Sequence, residues 1–140
     1  MARGYLTRRV TFAAAHRYRR PEWDDARNAA TFGLCARPNY HGHTYRCDVT
    51  VAGTIDEVTG FVADLGVLDE VLRREVHERY DHRNINLDIP EFAEGRLVPT
   101  GENLARVIFG QVQGALAGVV EVVEVRVAED ETLWSSYRGE

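Results

Sequence analysis

Three histidines on two neighbouring strand-like stretches constrain this chain more than any other feature. His41 and His43 are two residues apart, so their side chains point the same way in an extended segment. His16 ends the other stretch. Three imidazoles at two strand ends would bind a metal ion and leave one coordination position open, which is typical of a catalytic zinc site. The sequence therefore predicts Zn2+ held by His16, His41 and His43.

The strand patterns place these histidines on an apolar face. Residues 5–16 are predicted as the first strand, and His16 closes its apolar face of Leu6, Val10, Phe12 and Ala14. Taken alone, His16 could be a hydrogen-bonded core histidine, and the two histidines downstream favour a ligand instead. Residues 41–53 are predicted as the second strand, on which Cys47 points inward as a small apolar residue.

The remainder of the chain predicts two helices and then two strands. A helix over residues 65–80 begins after Asp64 as its N-cap, and His77 falls on its surface side. An irregular connection over 85–99 leads to a second helix over 101–117, with Thr100 as its N-cap. Residues 119–129 are predicted as a strand, and residues 133–138 as a short last one. The third strand's inner face would hold Val119, Val123, Val125 and Val127, with Glu129 closing it.

This order predicts an α+β fold formed by residues 1–140 as a single domain. Strands from both ends of the chain would form one antiparallel four-stranded sheet with two helices on one face. Such an open sheet leaves unpaired edges. Oligomerisation into a closed barrel would remove them.

Charge and hydropathy limit the partners and the compartment. The formal net charge is −5, and every basic residue is Arg, which argues against nucleic-acid binding. No apolar run approaches the length of a transmembrane helix. With no apolar segment of the secretory kind near the N-terminus, the two cysteines predict reduced thiols in a cytoplasmic protein.

Two further stretches have more than one interpretation. The polar loop over 17–34 is either a solvated connector or a lid whose Arg17, Arg19 and Arg20 meet anionic substrate groups. Asp81-His82 follows the first long helix. It is either an acid/base pair or a helix end that carries a favourable histidine.

Six stretches of the sequence, spread over nearly the whole chain, resemble motifs of the family of 6-pyruvoyl-tetrahydropterin and 6-carboxytetrahydropterin synthases. The longest runs from Phe32 to Tyr45 and contains Cys35 and the His41-Gly42-His43 stretch. The others are residues 12–16, 81–84, 100–103, 127–129 and 137–140. One departure is Gly101, where family members often carry Thr, Ser or Ala, and we assign it no role.

The resemblance implies an assembly and a substrate. The family has the tunnelling fold, a ββααββ subunit of which three close a twelve-stranded barrel. Two such trimers usually stack into a homohexamer, with active sites between subunits. The implied substrate is 7,8-dihydroneopterin triphosphate.

The resemblance also assigns roles to residues of this chain. His16, His41 and His43 would bind zinc. Cys35 would abstract a proton, with Asp81 and His82 completing a catalytic triad. Glu129 would anchor the pterin, helped by Thr100.

Several outcomes stay open at this point. The product could be 6-pyruvoyl-tetrahydropterin, for biopterin synthesis, or 6-carboxy-5,6,7,8-tetrahydropterin, for queuosine synthesis. The five residues between Cys35 and His41 resemble the 6-pyruvoyl group, whereas the all-Arg, Ala-rich composition suggests a bacterial source, where the carboxy branch is common. A side-chain cleavage giving 6-hydroxymethyl-dihydropterin for folate usually goes with Glu in place of Cys35. A zinc-stabilised pterin-binding oligomer without activity is the non-enzymatic alternative.

Overall fold

The computed structural model describes all 140 residues and forms one sheet covered by helices on one face. Five strands lie in the order β3-β1-β2-β4-β5. Their bounds are β1 Arg3–His16, β2 His41–Thr54, β3 Arg83–Asn84, β4 Glu121–Ala128 and β5 Trp134–Tyr137. The predicted ββααββ order is confirmed. The two-residue β3, which pairs parallel with Ala14 and Ala15 of β1, adds a fifth strand that the sequence analysis did not predict.

The long antiparallel pair β1–β2 sets the positions of the three histidines. Its register pairs Leu6 with Val51, Phe12 with Tyr45 and His16 with His41. Because side chains alternate between the two faces of a strand, the predicted inward residues of both strands share one face. Tyr45, Cys47, Val49 and Val51 are all fully buried there.

The inner face of β4 differs from the prediction because the strand contains a bulge. Thr50 pairs with Glu124 and Val51 with Val122, so Val123 has no partner on β2. One extra residue reverses the alternation of faces. Val122 is therefore buried and Val123 only partly buried, whereas Val119 lies in the turn before β4 and is exposed. The prediction that Val119 and Val123 face the core was wrong, and Val125 and Val127 do face it.

The helices begin where their caps predict. Helix α1 spans Asp25–Phe32. The long helix begins as α2 at Leu65–Leu72, passes through a π-helical turn at Arg73–His77 and ends as α3 at Glu78–Tyr80. Asp64 caps it by accepting from the backbone N–H of Val67. Helix α5 spans Gly101–Ala115, and the Thr100 hydroxyl accepts from the N–H of Asn103.

The connection over residues 85–99, predicted to be irregular, contains helical turns. Helix α4 occupies Ile85–Asp88, and a 3-10 turn follows at Pro90–Phe92. The Asn84 side chain starts α4 by accepting from the N–H of Leu87. Ile85 and Phe92 are buried in a core cluster of 23 residues between the sheet and the helices. None of the helices combines the length and the hydropathy that a membrane-spanning helix requires.

Candidate active site

The structure brings His16, His41 and His43 together at the end of the β1–β2 pair. One ring nitrogen from each of the three lies within 4.8 Å of the others. The ring centroids of His16 and His41 are 4.6 Å apart, and those of His41 and His43 are 5.0 Å apart. The cross-strand pairing of His16 with His41, together with the two-residue spacing to His43, accounts for this clustering.

The donor atoms of this cluster fit a metal ion. His16 is fully buried, and its Nδ1–H donates to the carbonyl oxygen of Pro99 over 2.8 Å. With its proton on Nδ1, His16 keeps a lone pair on Nε2, as a metal-ligating histidine requires. The Tyr45 hydroxyl lies 3.4 Å from this Nε2. His43 Nε2 is buried and has no hydrogen-bond partner. A cation at the cluster would satisfy that nitrogen.

Burial favours the neutral, metal-binding form of two of these imidazoles, those of His16 and His41. The pKa of His16 is lowered to about 3, mainly because burial penalises its charged form, although the hydrogen bond to Pro99 opposes this. Burial and the neighbouring His43 also lower the pKa of His41. Imidazole nitrogens suit several transition metals, including zinc.

Glu129 and Thr100 lie in one cleft beside the three histidines. The cleft has a volume of about 240 Å3, and its walls include Tyr18, Gly101, Val127 and Trp134. Only 13% of the Glu129 side chain is exposed, and its Oε2 lies 3.8 Å from Nε2 of His43. The cleft therefore places a carboxylate next to the metal-binding cluster.

Gly101, to which we assigned no role, fits the wall of this cleft sterically. A Cβ atom at this position would lie 2.9 Å from Oγ of Ser135. The absent side chain lets α5 approach β5 closely.

Tyr18 is a cleft residue that no sequence motif indicated. Its hydroxyl donates to Oε1 of Glu129 over 2.9 Å, and its ring meets the His16 ring edge-on at 5.0 Å. Burial and the negative charge of Glu129 raise the pKa of Tyr18, so the hydroxyl keeps its proton. A tyrosine in a polar loop gives no signal for a contact with a residue 111 positions away.

Cys35 lies in the 3-10 turn Gly33–Ala36, which the chain before it holds in place. The N–H of Tyr18 donates to the Cys35 carbonyl over 2.8 Å, and the Arg17 guanidinium donates to the Ala36 carbonyl over 2.7 Å. Cys35 is a half-buried free thiol. Burial and, less strongly, Glu129 raise its pKa. Within the chain alone, the surroundings of Cys35 therefore favour the protonated thiol. A cation at the three histidines would lower the pKa of Cys35 and favour the thiolate.

Asp81 and His82 form a hydrogen-bonded pair at the edge of the sheet. Oδ2 of Asp81 accepts from Nδ1–H of His82 over 2.7 Å, and Oδ1 accepts from the N–H of Ala13 over 2.8 Å. His82 has a left-handed backbone, with φ of 59°. These hydrogen bonds lower the pKa of Asp81, the bond from Ala13 contributing most.

The pair does not meet Cys35 within one chain. The His82 side chain is 84% exposed. It borders an open groove with Ala13, Ala15 and Thr44, which alternate along their strands with the inward-facing residues. His43 of the metal-binding cluster also lines this groove. Cys35 forms no hydrogen bond with either member of the pair.

His77, predicted as a surface histidine, is half-exposed and reaches the same carboxylate. Its Nδ1–H donates to the Thr11 carbonyl over 2.7 Å, and its Nε2 lies 3.6 Å from Oδ2 of Asp81. It does not belong to the metal-binding cluster. No local pattern in the sequence indicates its proximity to Asp81.

The three arginines of the polar loop are mostly engaged within the chain. Arg19 pairs with Asp25 at 2.9 Å and Arg20 with Glu22 at 2.6 Å. The Arg17 guanidinium instead bonds the Ala36 carbonyl. These contacts favour a structured connector over a lid with three free cations.

Comparisons with known proteins agree with this geometry. The profile of the family described as 6-pyruvoyl tetrahydropterin synthase matches residues 5–140. The 6-pyruvoyl tetrahydrobiopterin synthase of Drosophila melanogaster is 38% identical over 96% of this chain and 79% of its own length. The 6-carboxy-5,6,7,8-tetrahydropterin synthase of Bacillus subtilis is 35% identical over 76% of this chain and 71% of its own length.

A solved structure matches the fold along the whole chain. The 6-pyruvoyl tetrahydropterin synthase of Caenorhabditis elegans superposes with a TM-score of 0.91 at 31% identity, over 100% of this chain and 98% of that one. The profile match, the 38% identity and this superposition cover the same residues, which include the histidine cluster and its cleft. The chain belongs to the 6-pyruvoyl tetrahydropterin synthase family.

Proposed function

We propose that this protein is a zinc-dependent lyase that acts on 7,8-dihydroneopterin triphosphate. It would eliminate the triphosphate and give 6-pyruvoyl-tetrahydropterin or 6-carboxy-5,6,7,8-tetrahydropterin. The observation that carries the proposal is a single cleft in which Glu129 and Thr100 lie beside a three-histidine cluster with an unsatisfied buried nitrogen. Such a site can bind a small polar heterocycle and present its side chain to a metal ion.

The pterin ring fits the Glu129 end of the cleft. A carboxylate can accept two parallel hydrogen bonds, and the 2-amino group and N3–H of a pterin offer two donors side by side. The low exposure of Glu129 strengthens these bonds, because water competes little there. This anchoring would place the C6 side chain of the pterin toward the histidines.

Proton transfer would fall to residues around the cluster. Zinc on three neutral imidazoles would supply a Lewis acid for the side-chain hydroxyls, which makes the neighbouring C–H bonds more acidic. The Cys35 thiolate would take a proton from a side-chain carbon. His82, oriented by Asp81, would hold or return a proton from the other side of the site.

The role of His82 requires a second subunit in this proposal. Because Cys35 and His82 do not meet within one chain, the triad would form between Cys35 of one protomer and the Asp81-His82 pair of another. A homohexamer of two trimers, as the family resemblance implies, would provide such sites. The substrate triphosphate would bind at this shared site.

The length of the matched segment favours the 6-pyruvoyl product. The fly relative with that name matches 96% of this chain, whereas the Bacillus subtilis protein named for the 6-carboxy product matches 76%. The five-residue gap between Cys35 and His41 agrees with the 6-pyruvoyl group.

Product identification tests the proposal. The zinc-loaded protein is incubated anaerobically with 7,8-dihydroneopterin triphosphate, and the products are identified by mass. We expect triphosphate together with a 6-pyruvoyl product. A 6-carboxy product with acetaldehyde would place the chain in the other branch, and the absence of any reaction would contradict the lyase. Cys35→Ala should retain zinc but react about a hundredfold more slowly, the scale of losing an acid/base group.

A further inference from the structure

We propose that Tyr18 is a positioning residue that orients the Glu129 carboxylate toward the edge of the bound pterin. This inference rests on the proposed function and adds a residue that determines affinity for the pterin ring. No motif in the sequence contains Tyr18, and its role is inferred from the contacts that it makes in the structure.

Tyr18 touches all three parts of the site. Its hydroxyl donates to Oε1 of Glu129, its ring packs edge-on against His16, and its backbone N–H holds the Cys35 carbonyl. Phe32 supports the ring from another side, with centroids 5.9 Å apart. The ring is therefore fixed from several directions, so its hydroxyl occupies a defined point in the cleft.

Glu129 needs such a restraint because its surroundings do not otherwise fix its carboxylate. It follows directly on the last residue of β4, and its side chain has several rotatable bonds. No side chain other than Tyr18 hydrogen-bonds the carboxylate, and its one ion-pair contact is with His43, whose Nε2 lies 3.8 Å from Oε2. Rotation of the free carboxylate toward the histidines would spoil its alignment with the two pterin donors.

The hydrogen bond from the Tyr18 hydroxyl resists this rotation. The Glu129 carboxylate can still accept further hydrogen bonds. A carboxylate oxygen has two lone pairs, so Oε1 can accept from Tyr18 and from the pterin at once. Oε2 accepts nothing within the chain. A preformed orientation lowers the entropy lost when the pterin binds.

Removing only the hydroxyl tests this role. We expect Tyr18→Phe to weaken binding of neopterin, the pterin probe, about tenfold in the zinc-loaded protein, as for the loss of a hydrogen bond to a charged group. KM for the triphosphate substrate should rise to a similar extent, while kcat stays within about threefold. Zinc content should be unchanged. The matched control is Tyr137→Phe, which removes a hydroxyl that donates to a main-chain oxygen of Glu140, and it should bind neopterin like the wild type.

A double-mutant cycle shows whether Tyr18 acts through Glu129. In a Glu129→Ala background the hydroxyl has lost its partner, so adding Tyr18→Phe should change neopterin affinity by less than about twofold. A second tenfold loss in that background would overturn the inference, and so would wild-type affinity of the single Tyr18→Phe variant.

The two proposals can fail separately. A wild-type protein that binds no pterin would overturn the proposed function, and this inference with it. A wild type that converts the substrate, beside a Tyr18→Phe variant with the same KM, would overturn this inference alone.

Discussion

His43 carries a buried ring nitrogen that no group of the chain satisfies. An orphaned polar atom of this kind costs about 1–3 kcal/mol in a folded protein, and a metal ligand bond removes that cost. Strand alternation was enough to predict that His16, His41 and His43 meet, because it fixes which way each side chain points. The contacts of Tyr18 with Glu129 and of His77 with Asp81 depend on where distant segments pack, and no local pattern encodes them.

The buried His16 predicts how the metal-free protein responds to acid. The unfolded chain takes up a proton on His16 near pH 6.5, whereas the folded chain does so only at about pH 3. The free energy of unfolding should therefore fall as the pH is lowered from about 6.5, because the unfolded state binds more protons. Urea titrations of the chelated protein between pH 5 and 7 measure this slope.

Replacing His16 isolates its contribution to that slope. Near pH 5, where the unfolded chain is fully protonated at this position, His16→Gln should reduce the slope by close to one proton, about 1.4 kcal/mol per pH unit. The reduction should be about half as large near pH 6.5. Equal slopes for the wild type and His16→Gln would show that His16 is not held neutral by burial.

At the scale of elements, helix caps and hydrophobic periodicity predicted where the helices and the long strands lie. A bulge and a very short strand were not predictable in this way. Asp64 and Thr100 mark the true starts of their helices. The bulge at Val123 could not be predicted, because one extra residue leaves no compositional trace in a run of valines. The two-residue β3 is fixed by hydrogen bonds to β1, and its own sequence carries no strand pattern.

Thr100 both caps α5 and lines the proposed pterin cleft. Measurements of folding stability separate its capping role from its role in the cleft. Thr100→Ala should lower the free energy of unfolding by about 1 kcal/mol, because the Asn103 N–H loses its acceptor. Thr100→Ser keeps a hydroxyl and should be near the wild type in chemical denaturation. A Ser variant as unstable as the Ala variant would contradict the capping role.

At the scale of the whole molecule, the sheet is incomplete at its edges. β3 covers only two residues of the fourteen-residue β1, so much of that strand has no partner on its outer side. Unpaired strand edges favour association with another copy of the chain. The separation of Cys35 from the Asp81-His82 pair leads to the same expectation, and the sequence alone could not distinguish a shared site from one within a chain.

Mixing two inactive variants tests whether protomers share the site. Cys35→Ala and His82→Ala should each be nearly inactive alone. Refolded together in equal amounts, they should recover about a quarter of wild-type activity, since a quarter of sites would pair two intact halves. Mixing the two variants after separate refolding is the control. A co-refolded mixture no more active than its parents would contradict a site shared between subunits.

Zinc titration tests the central claim most directly. The chelated protein is supplied with increasing zinc, and triphosphate release from 7,8-dihydroneopterin triphosphate is measured together with bound metal. We expect no release without zinc and a linear rise that levels off at about one equivalent per chain, with no rise in a His41→Ala variant. Equal release with and without zinc, or full metal binding by His41→Ala, would contradict the three-histidine zinc centre.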